Sequence, residues 1–357
     1  MDRRQFLASL TTLALAGGCR SAFGDVAKAR RQAVAEEMRR QIAAGYFSCA
    51  CCANASGETW CEGNRRPGDG TDVPVRGDSL FEIASCSKTF TALVAALLWQ
   101  EGKLDLDKPV YGDVTARDLA SHRSGFTDAW MGRAGVYGKP WPFASDAVYE
   151  AAAKDLKPAY ARGSKVVYAC TNAVLLGFLI EQVAGMDLDA AARKYVWGPL
   201  GMKATTWRNC PDDSRTVRMY THGPRPLGTK GDEIARGFTR PVGNAGVFTC
   251  IDDMRLYADD ILNRRTFPKE VYELLYTPQI EKDGRRRSFG WDMSVGANPP
   301  EWGARTITHS GYTGQYVAID PETKRFAVVL TNLCLDDAKG RSAAYGDRRR
   351  LAALVGG

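Results

Sequence analysis

At 357 residues, with 45% hydrophobic, 25% charged and 10% aromatic residues, the chain has the makeup of a soluble globular protein of one large or two modest domains. That composition excludes a disordered or fibrous chain. The net charge of +7 (48 Lys+Arg against 41 Asp+Glu) is scattered. Its basic runs, Arg264-Arg265, Arg285-Arg286-Arg287 and Arg348-Arg349-Arg350, carry no interleaved aromatics, so no nucleic-acid surface is expected.

Residues 1–24 read as a twin-arginine-type signal peptide. Arg3-Arg4-Gln5-Phe6-Leu7 precedes the apolar run "LASLTTLALAGG", of about 12 residues and too short to span a bilayer. Ala22-Phe23-Gly24 supplies small residues for cleavage, and Cys19 in "LAGGC" is a competing lipidation site. The expectation is export to the periplasm or cell envelope, with membrane contact only through this segment or a lipid on Cys19. Residues 26–44, with Val34, Met38 and Ile42 at spacings of four before Gly45, predict an amphipathic helix. "YFSCACCANASGETWCEG" predicts a hairpin about Asn54-Ala55-Ser56-Gly57. Cys49, Cys51 and Cys61 on it admit a disulfide in an oxidising compartment. Most of the ten cysteines fit the pattern of small buried hydrophobes, and no cysteine or histidine spacing matches a metal site.

"TFTALVAALLWQEG" predicts a helix ending at Gly102, and "TNAVLLGFLIEQVAG" (171–185) and "DDMRLYADDILN" (252–263) predict two more. Strand signals return in "RSFGWDM", "ARTITHS", "QYVAIDP" and "RFAVVLTN", and 337–355 is again helical in pattern. Strands at both ends with helices between suggest one sheet assembled from distant segments around an inserted helical lobe. The expected division is an α/β lobe from about 25–95 and 240–357 and a helical lobe at about 96–239, within one domain, 25–357.

The stretch "FEIASCSKTF" (81–90) heads the first long apolar helix. On a helix Ser85 and Lys88 share a face, and a helix N-terminus offers free N–H groups and a positive dipole end. A serine hydroxyl becomes nucleophilic when a neighbour takes its proton, and a lysine serves if burial or nearby positive charge lowers its pKa. By itself S-x-x-K is a common chance pattern, so nucleophilic Ser85, a reactive Cys86 and a merely polar helix start all remain open.

Six ordered segments resemble the serine β-lactamase and penicillin-binding-protein superfamily, particularly its class C β-lactamase, DD-carboxypeptidase and esterase branch. They are "LFEIASCSKTFTALVAALL", "TARDLASHRSGF" (115–126), "YACTNAVLLGFLIEQVAG" (168–185), "WGPLGMKATTW" (197–207), "VGNAGVFTCIDDMRLYADDIL" (242–262) and "ITHSGYTGQYVAIDP" (307–321). The resemblance spans roughly residues 30 to 355. It implies an α+β fold of the β-lactamase/transpeptidase type, an antiparallel sheet flanked by helices with an all-helical lobe.

Carried over position by position, the resemblance implies that Ser85 is acylated, that Lys88 shares in its activation, and that Tyr168 moves protons to the leaving group. It implies an oxyanion hole from the Ser85 and Tyr312 amides, with Gly311 allowing close approach. His309 would stand where lysine is usual and, neutral near pH 7, would grip a substrate carboxylate less firmly. Cys170 occupies the position of a substrate-binding asparagine, and a thiol is a weak donor and poor acceptor. Asn172 matches a second family asparagine, and His122 is expected to hold the "SHRSG" turn.

These departures favour an exported esterase, amidase or D-amino-acid-directed peptidase over a true β-lactamase or DD-carboxypeptidase. The rival from another class is a non-catalytic cell-wall or β-lactam sensor. A Ser-His-Asp α/β-hydrolase is set aside because no G-x-S-x-G elbow occurs. The substrate is expected to be a small molecule or peptidoglycan-like, and no metal or organic cofactor is implied. If Cys86 and Cys170 line one pocket, a disulfide between them would occlude it.

Overall fold

The computed structural model describes residues 19–70, 72–129, 154, 156–220, 223–333 and 338–357. The twin-arginine and apolar segments expected of a signal peptide lie outside these residues. Among the described residues no helix is long and apolar enough to cross a membrane.

Helix α1 (Cys19–Ala43) leads into the predicted hairpin, β1 (Cys49–Asn54) and β2 (Thr59–Gly63). The hairpin pairs in sheet order β2-β1-β11-β10-β9 with three late strands, β9 (Ile307–Ser310), β10 (Tyr316–Asp320) and β11 (Arg325–Thr331), all antiparallel. Strands from the two ends of the chain therefore lie side by side, with Ala50 opposite Thr331.

The run "CACCAN" is buried at every position because both faces of the sheet are covered. Ala50 and Cys52 pack with Val34, Met38, Leu351 and Val355, from α1 and the last helix, α9 (Ala338–Gly356). Cys49, Cys51 and Ala53 face the main core with Met254, Tyr257 and Ala258 of α7 (Ile251–Asn263). Cys51 faces Cys61 across the β1–β2 pair with their sulfurs 2.8 Å apart, in contact and not joined as a disulfide.

Short β3 (Phe81–Glu82) pairs with β6 (Phe248–Thr249) and aims the chain into α2 (Ser87–Gln100), whose residues Ser87 to Leu98 are all buried. Around α2 pack α4 (Cys170–Ala184), α5 (Leu188–Ala192) and α8 (Lys269–Tyr276). Smaller elements lie between these. These are the two-stranded β4 (Pro109–Tyr111) and β5 (Val114–Thr115), one-turn helices α3 (Ala116–Ala120) and α6 (Glu233–Arg236), and the pair β7 (Ile280–Lys282) and β8 (Arg285–Arg287).

One predicted strand is absent. "RSFGWDM" buries Phe289, Trp291 and Met293 in the core, yet beyond Arg287, the end of β8, it makes only isolated bridges at Arg287–Asp292 and Asp292–Thr308. Gly290 at φ +86° breaks the extended run, and a Cβ there would collide with Ala92 of α2. The alternating pattern reports burial without a ladder.

Candidate active site

The chain enters α2 through a single 3₁₀ turn, Ala84–Cys86, so Ser85 sits just ahead of the helix proper. Ala84 holds a left-handed φ of +45°, which a non-glycine residue adopts at a cost. The turn is tied by Cys86 N–H to Ile83 O (3.0 Å) and by Ala84 N–H to the Glu82 carboxylate (2.9 Å). The neighbouring hydroxyls have other partners. Ser87 Oγ accepts Val247 N–H at 3.1 Å, and Thr89 Oγ1 donates to Cys86 O at 2.9 Å. Ser85 lines the cleft.

Lys88, 4% exposed, stands directly behind it. Its ammonium has three protons and three acceptors: Ser85 Oγ at 2.8 Å, Asn244 O at 2.7 Å and Cys170 Sγ at 3.5 Å. The condition under which a lysine serves as the base, a lowered pKa, is not met. Burial pulls it down, but interactions with Cys170, with Tyr168 and with more distant Asp232 outweigh that and raise it. Cys170 is itself pushed up to about 11, by burial against the opposing pull of Lys88, and is a thiol at neutral pH. Where an amide oxygen would accept strongly from the lysine, a long N–H···S contact remains.

Tyr168 lies just before α4, with Lys88 Nζ 5.0 Å and the Arg287 guanidinium 5.5 Å from its ring centre. Although 37% of the residue is exposed, burial at its hydroxyl end raises its pKa; Lys88 and Ser85 oppose that shift and Cys170 adds to it. His122 stacks on the other side, 4.6 Å between ring centres. Its Nδ1 meets Ala169 N–H (3.3 Å) and Asn172 Nδ2 (3.1 Å), and Ser124 Oγ donates to Asn172 Oδ1 (2.6 Å). Both donors aim at Nδ1, so the neutral tautomer with the proton on Nε2 is required. Burial, with Arg287 and Lys88 nearby, holds its pKa well below the ordinary histidine value. His122 and Asn172 thus fasten the "SHRSG" turn to the start of α4.

No side chain of Ala169 caps α4. Asp128 does so from a distant loop, accepting Cys170 N–H (3.0 Å), Thr171 N–H (2.9 Å) and Thr171 Oγ1 (2.9 Å).

The opposite wall is β9 and the turn after it. Ser85, Tyr168, His309, Gly311 and Tyr312 line one cleft of about 540 Å³, together with Arg287, Tyr345, Arg348 and Arg349. The His309 ring is kept neutral by burial and by Lys88 and Arg287, and its Nδ1 faces Ser310 O at 3.2 Å. Gly311 packs against the residues leading into the Ala84–Cys86 turn, where an added Cβ would lie 2.8 Å from Ile83 O. Gln315 ties this turn to β3 through Glu82 O (2.9 Å) and to β11 through Thr331 O (2.7 Å).

The two cysteines suspected of pairing are not brought together. Cys86 is buried in the core with Sγ 3.7 Å from His309 O, whereas Cys170 Sγ faces Lys88. Neighbouring residues of a helical turn diverge, so Cys86 points away from the face that Ser85 presents. The sequence reading also missed Asp128, Glu82, Asn244 and the arginines of the cleft. Each reaches the site through at least one contact far away in the chain, and no local spacing signals that contact.

A statistical model of the Beta-lactamase family matches residues 31–352. The chain belongs to the Beta-lactamase family. "Penicillin-binding protein 4*" of Bacillus subtilis (strain 168) is 28% identical over 280 residues, covering 67% of this chain and 56% of that protein. This Beta-lactamase-family chain therefore matches little more than half the length of that relative. Among solved structures, "EstCE1, a hydrolase with promiscuous acyltransferase activity" superposes with a TM-score of 0.76 at 20% identity, over 92% of this chain and 99% of that one. D-alanine carboxypeptidase AmpC from Burkholderia cenocepacia gives 0.71 at 20% identity, over 90% and 99%. These likenesses establish the β-lactamase/transpeptidase-type fold.

Proposed function

We propose that this protein is an exported serine hydrolase working by acyl transfer through Ser85, on a small ester or amide. The observation that carries the proposal is the 2.8 Å contact between Ser85 Oγ and a buried Lys88 whose other two protons are held by Asn244 O and Cys170 Sγ. With Tyr168 first deprotonated beside the charged Lys88, its proton given to water, Ser85 Oγ attacks the substrate carbonyl and passes its own proton to the Tyr168 oxygen. The Lys88 charge stabilises negative charge developing on Ser85 or Tyr168. The Ser85 and Tyr312 amides receive the oxyanion. Tyr168 returns the proton to the leaving group, and water then cleaves the Ser85 ester by the same steps in reverse.

The esterase or amidase reading is favoured by the thiol of Cys170 and the neutral ring of His309, which remove two polar grips. A second reading, a D-amino-acid-directed peptidase, carboxypeptidase or β-lactamase acting on a carboxylate-bearing substrate, is favoured by Arg287 and Arg349 in the cleft wall. The similarity to a penicillin-binding protein of Bacillus subtilis also supports it.

The test is intact-mass detection of adducts formed with a fluorophosphonate and with a penicillin, beside hydrolysis of an activated ester. Ser85→Ala is expected to abolish adducts and turnover with the fold retained; turnover surviving in that variant overturns the proposal. A lasting penicillin adduct marks a penicillin-binding protein and rapid release a β-lactamase. Ester turnover without reaction to penicillin marks an esterase. Absence of both adducts and turnover overturns the enzyme reading in favour of a non-catalytic binder.

A further inference from the structure

Glu82 is the one fully buried carboxylate beside the nucleophile turn, and the acyl-transfer steps make no use of it. It sits on β3 two residues before Ala84. Its Oε1 accepts two backbone N–H groups at 2.9 Å from chain segments far apart in sequence, Ala84 and Gly246. Both residues are backbone-special. Ala84 holds φ +45° and Gly246 φ +96°.

Ala84 immediately precedes Ser85. Gly246 closes the loop whose Asn244 carbonyl accepts the Lys88 ammonium at 2.7 Å. One carboxylate oxygen therefore touches both the turn that presents the nucleophile and the loop on which its lysine partner rests.

We propose that Glu82 is a positioning residue of the active site: its carboxylate clamps the strained Ala84 turn to the Gly246 loop and so sets Ser85 against Lys88. The clamp does not require charge. Burial, followed by repulsion from Asp232, pushes the carboxyl up to about 7 against the pull of the Gly246, Ala84 and Gly231 amides, and the second oxygen, Oε2, makes no close hydrogen bond. A proton on Oε2 leaves Oε1 free to accept both N–H groups. An amide at this position keeps the same acceptor. Removing the acceptor leaves Ala84 in a left-handed conformation with its N–H unpaired and buried, and such a turn relaxes toward ordinary φ values, carrying the Ser85 amide and hydroxyl with it.

This inference rests on Ser85 being the nucleophile, so Ser85 labelling by a fluorophosphonate is first established on the unmodified protein. Failure there refutes the Ser85 reading and takes the clamp with it. Given labelling, Glu82→Gln is expected to keep kcat for an activated ester within about threefold, since an amide oxygen replaces the carboxylate oxygen as acceptor. Glu82→Ala is expected to lower kcat by about 100-fold with KM changed far less, as expected when a transition-state donor loses alignment.

The decisive variant is Glu82→Ala combined with Ala84→Gly. Glycine adopts the left-handed turn without strain, so about tenfold of the lost kcat is expected to return. A purely structural loss would not be recovered this way. If Glu82→Ala does not fold, Glu82→Asp, whose carboxylate is retracted by one methylene, is read in its place, alone and with Ala84→Gly. Unchanged kcat in the truncated variant, loss of activity in Glu82→Gln equal to that in Glu82→Ala, or no recovery on adding Ala84→Gly each overturns the clamp.

Discussion

Replacing Gly311 by alanine tests the geometry of the proposed oxyanion hole more sharply than removal of any side chain. The added Cβ would stand 2.8 Å from Ile83 O and 3.1 Å from Gln315 Cβ, and closer still to the Gln315 amide oxygen. Ordinary carbon contacts begin at about 3.5 Å, so β9 and the nucleophile turn must part by several tenths of an ångström. Neither side gives easily. Ile83 O holds Cys86 N–H at 3.0 Å, and Gln315 is anchored to Glu82 O and Thr331 O. The displacement falls on the separation of the Ser85 and Tyr312 amides. Loss of one aligned donor costs about 3–4 kcal/mol in the transition state, so kcat is expected to fall by about 10²–10³ while KM moves little. The assay is steady-state hydrolysis of an activated ester, with near-ultraviolet circular dichroism to verify packing. A kcat within threefold of the parent would refute the close-approach argument.

Two further outcomes follow from the buried supports of the site. His122 and His309 are both held well below the ordinary value of 6.5 in the fold, by burial and by the positive charges of Lys88 and Arg287. The unfolded chain therefore binds protons below about pH 6.5 that the folded protein refuses. Stability falls as pH drops through that value, by at most about 2.7 kcal/mol per pH unit for the pair, read by urea melts across pH 7 to 5. The His122→Asn, His309→Asn double variant should lose most of this slope, and an unchanged slope would count against the assignment. Asp128→Ala, which strips α4 of its only long-range cap among the described residues, should cost about 1–2 kcal/mol in the same melts. It should also lower kcat by loosening Tyr168 and Cys170. Stability equal to the parent would show that Asp128 does not hold the helix start.

Where local chemistry decides the structure, the sequence was a sound guide. The Asn54–Gly57 turn, the apolar spacing of 87–100 and 251–263, and the strands at 307–310, 316–320 and 325–331 all depend on neighbours a few residues away. The S-x-x-K pair is legible for the same reason, since three residues of helical chain place Lys88 beside Ser85. Misreadings arose where distant contacts rule. "RSFGWDM" looks like a strand because it is buried, but Gly290 must kink to clear Ala92. Lysine burial suggested a lowered pKa, but Cys170 and Tyr168, brought in from about position 170, reverse the sign. Cys86 and Cys170 seemed able to meet only because sequence position does not reveal which side of a turn each sulfur takes.

The central sheet pairs residues as remote as Ala50 and Thr331, and the wall opposite Ser85 is built from β9, its turn and α9. On the ribosome the segment bearing Ser85 and Lys88 is made long before those segments exist. Such long-range closure is slow, because the entropy of a large loop must be overcome before any contact rewards it. The nascent chain thus carries a serine with no oxyanion wall and no substrate cleft. The proposed reactivity of Ser85 is in this sense a property of the finished sheet, acquired only once β9, β10 and β11 have joined it.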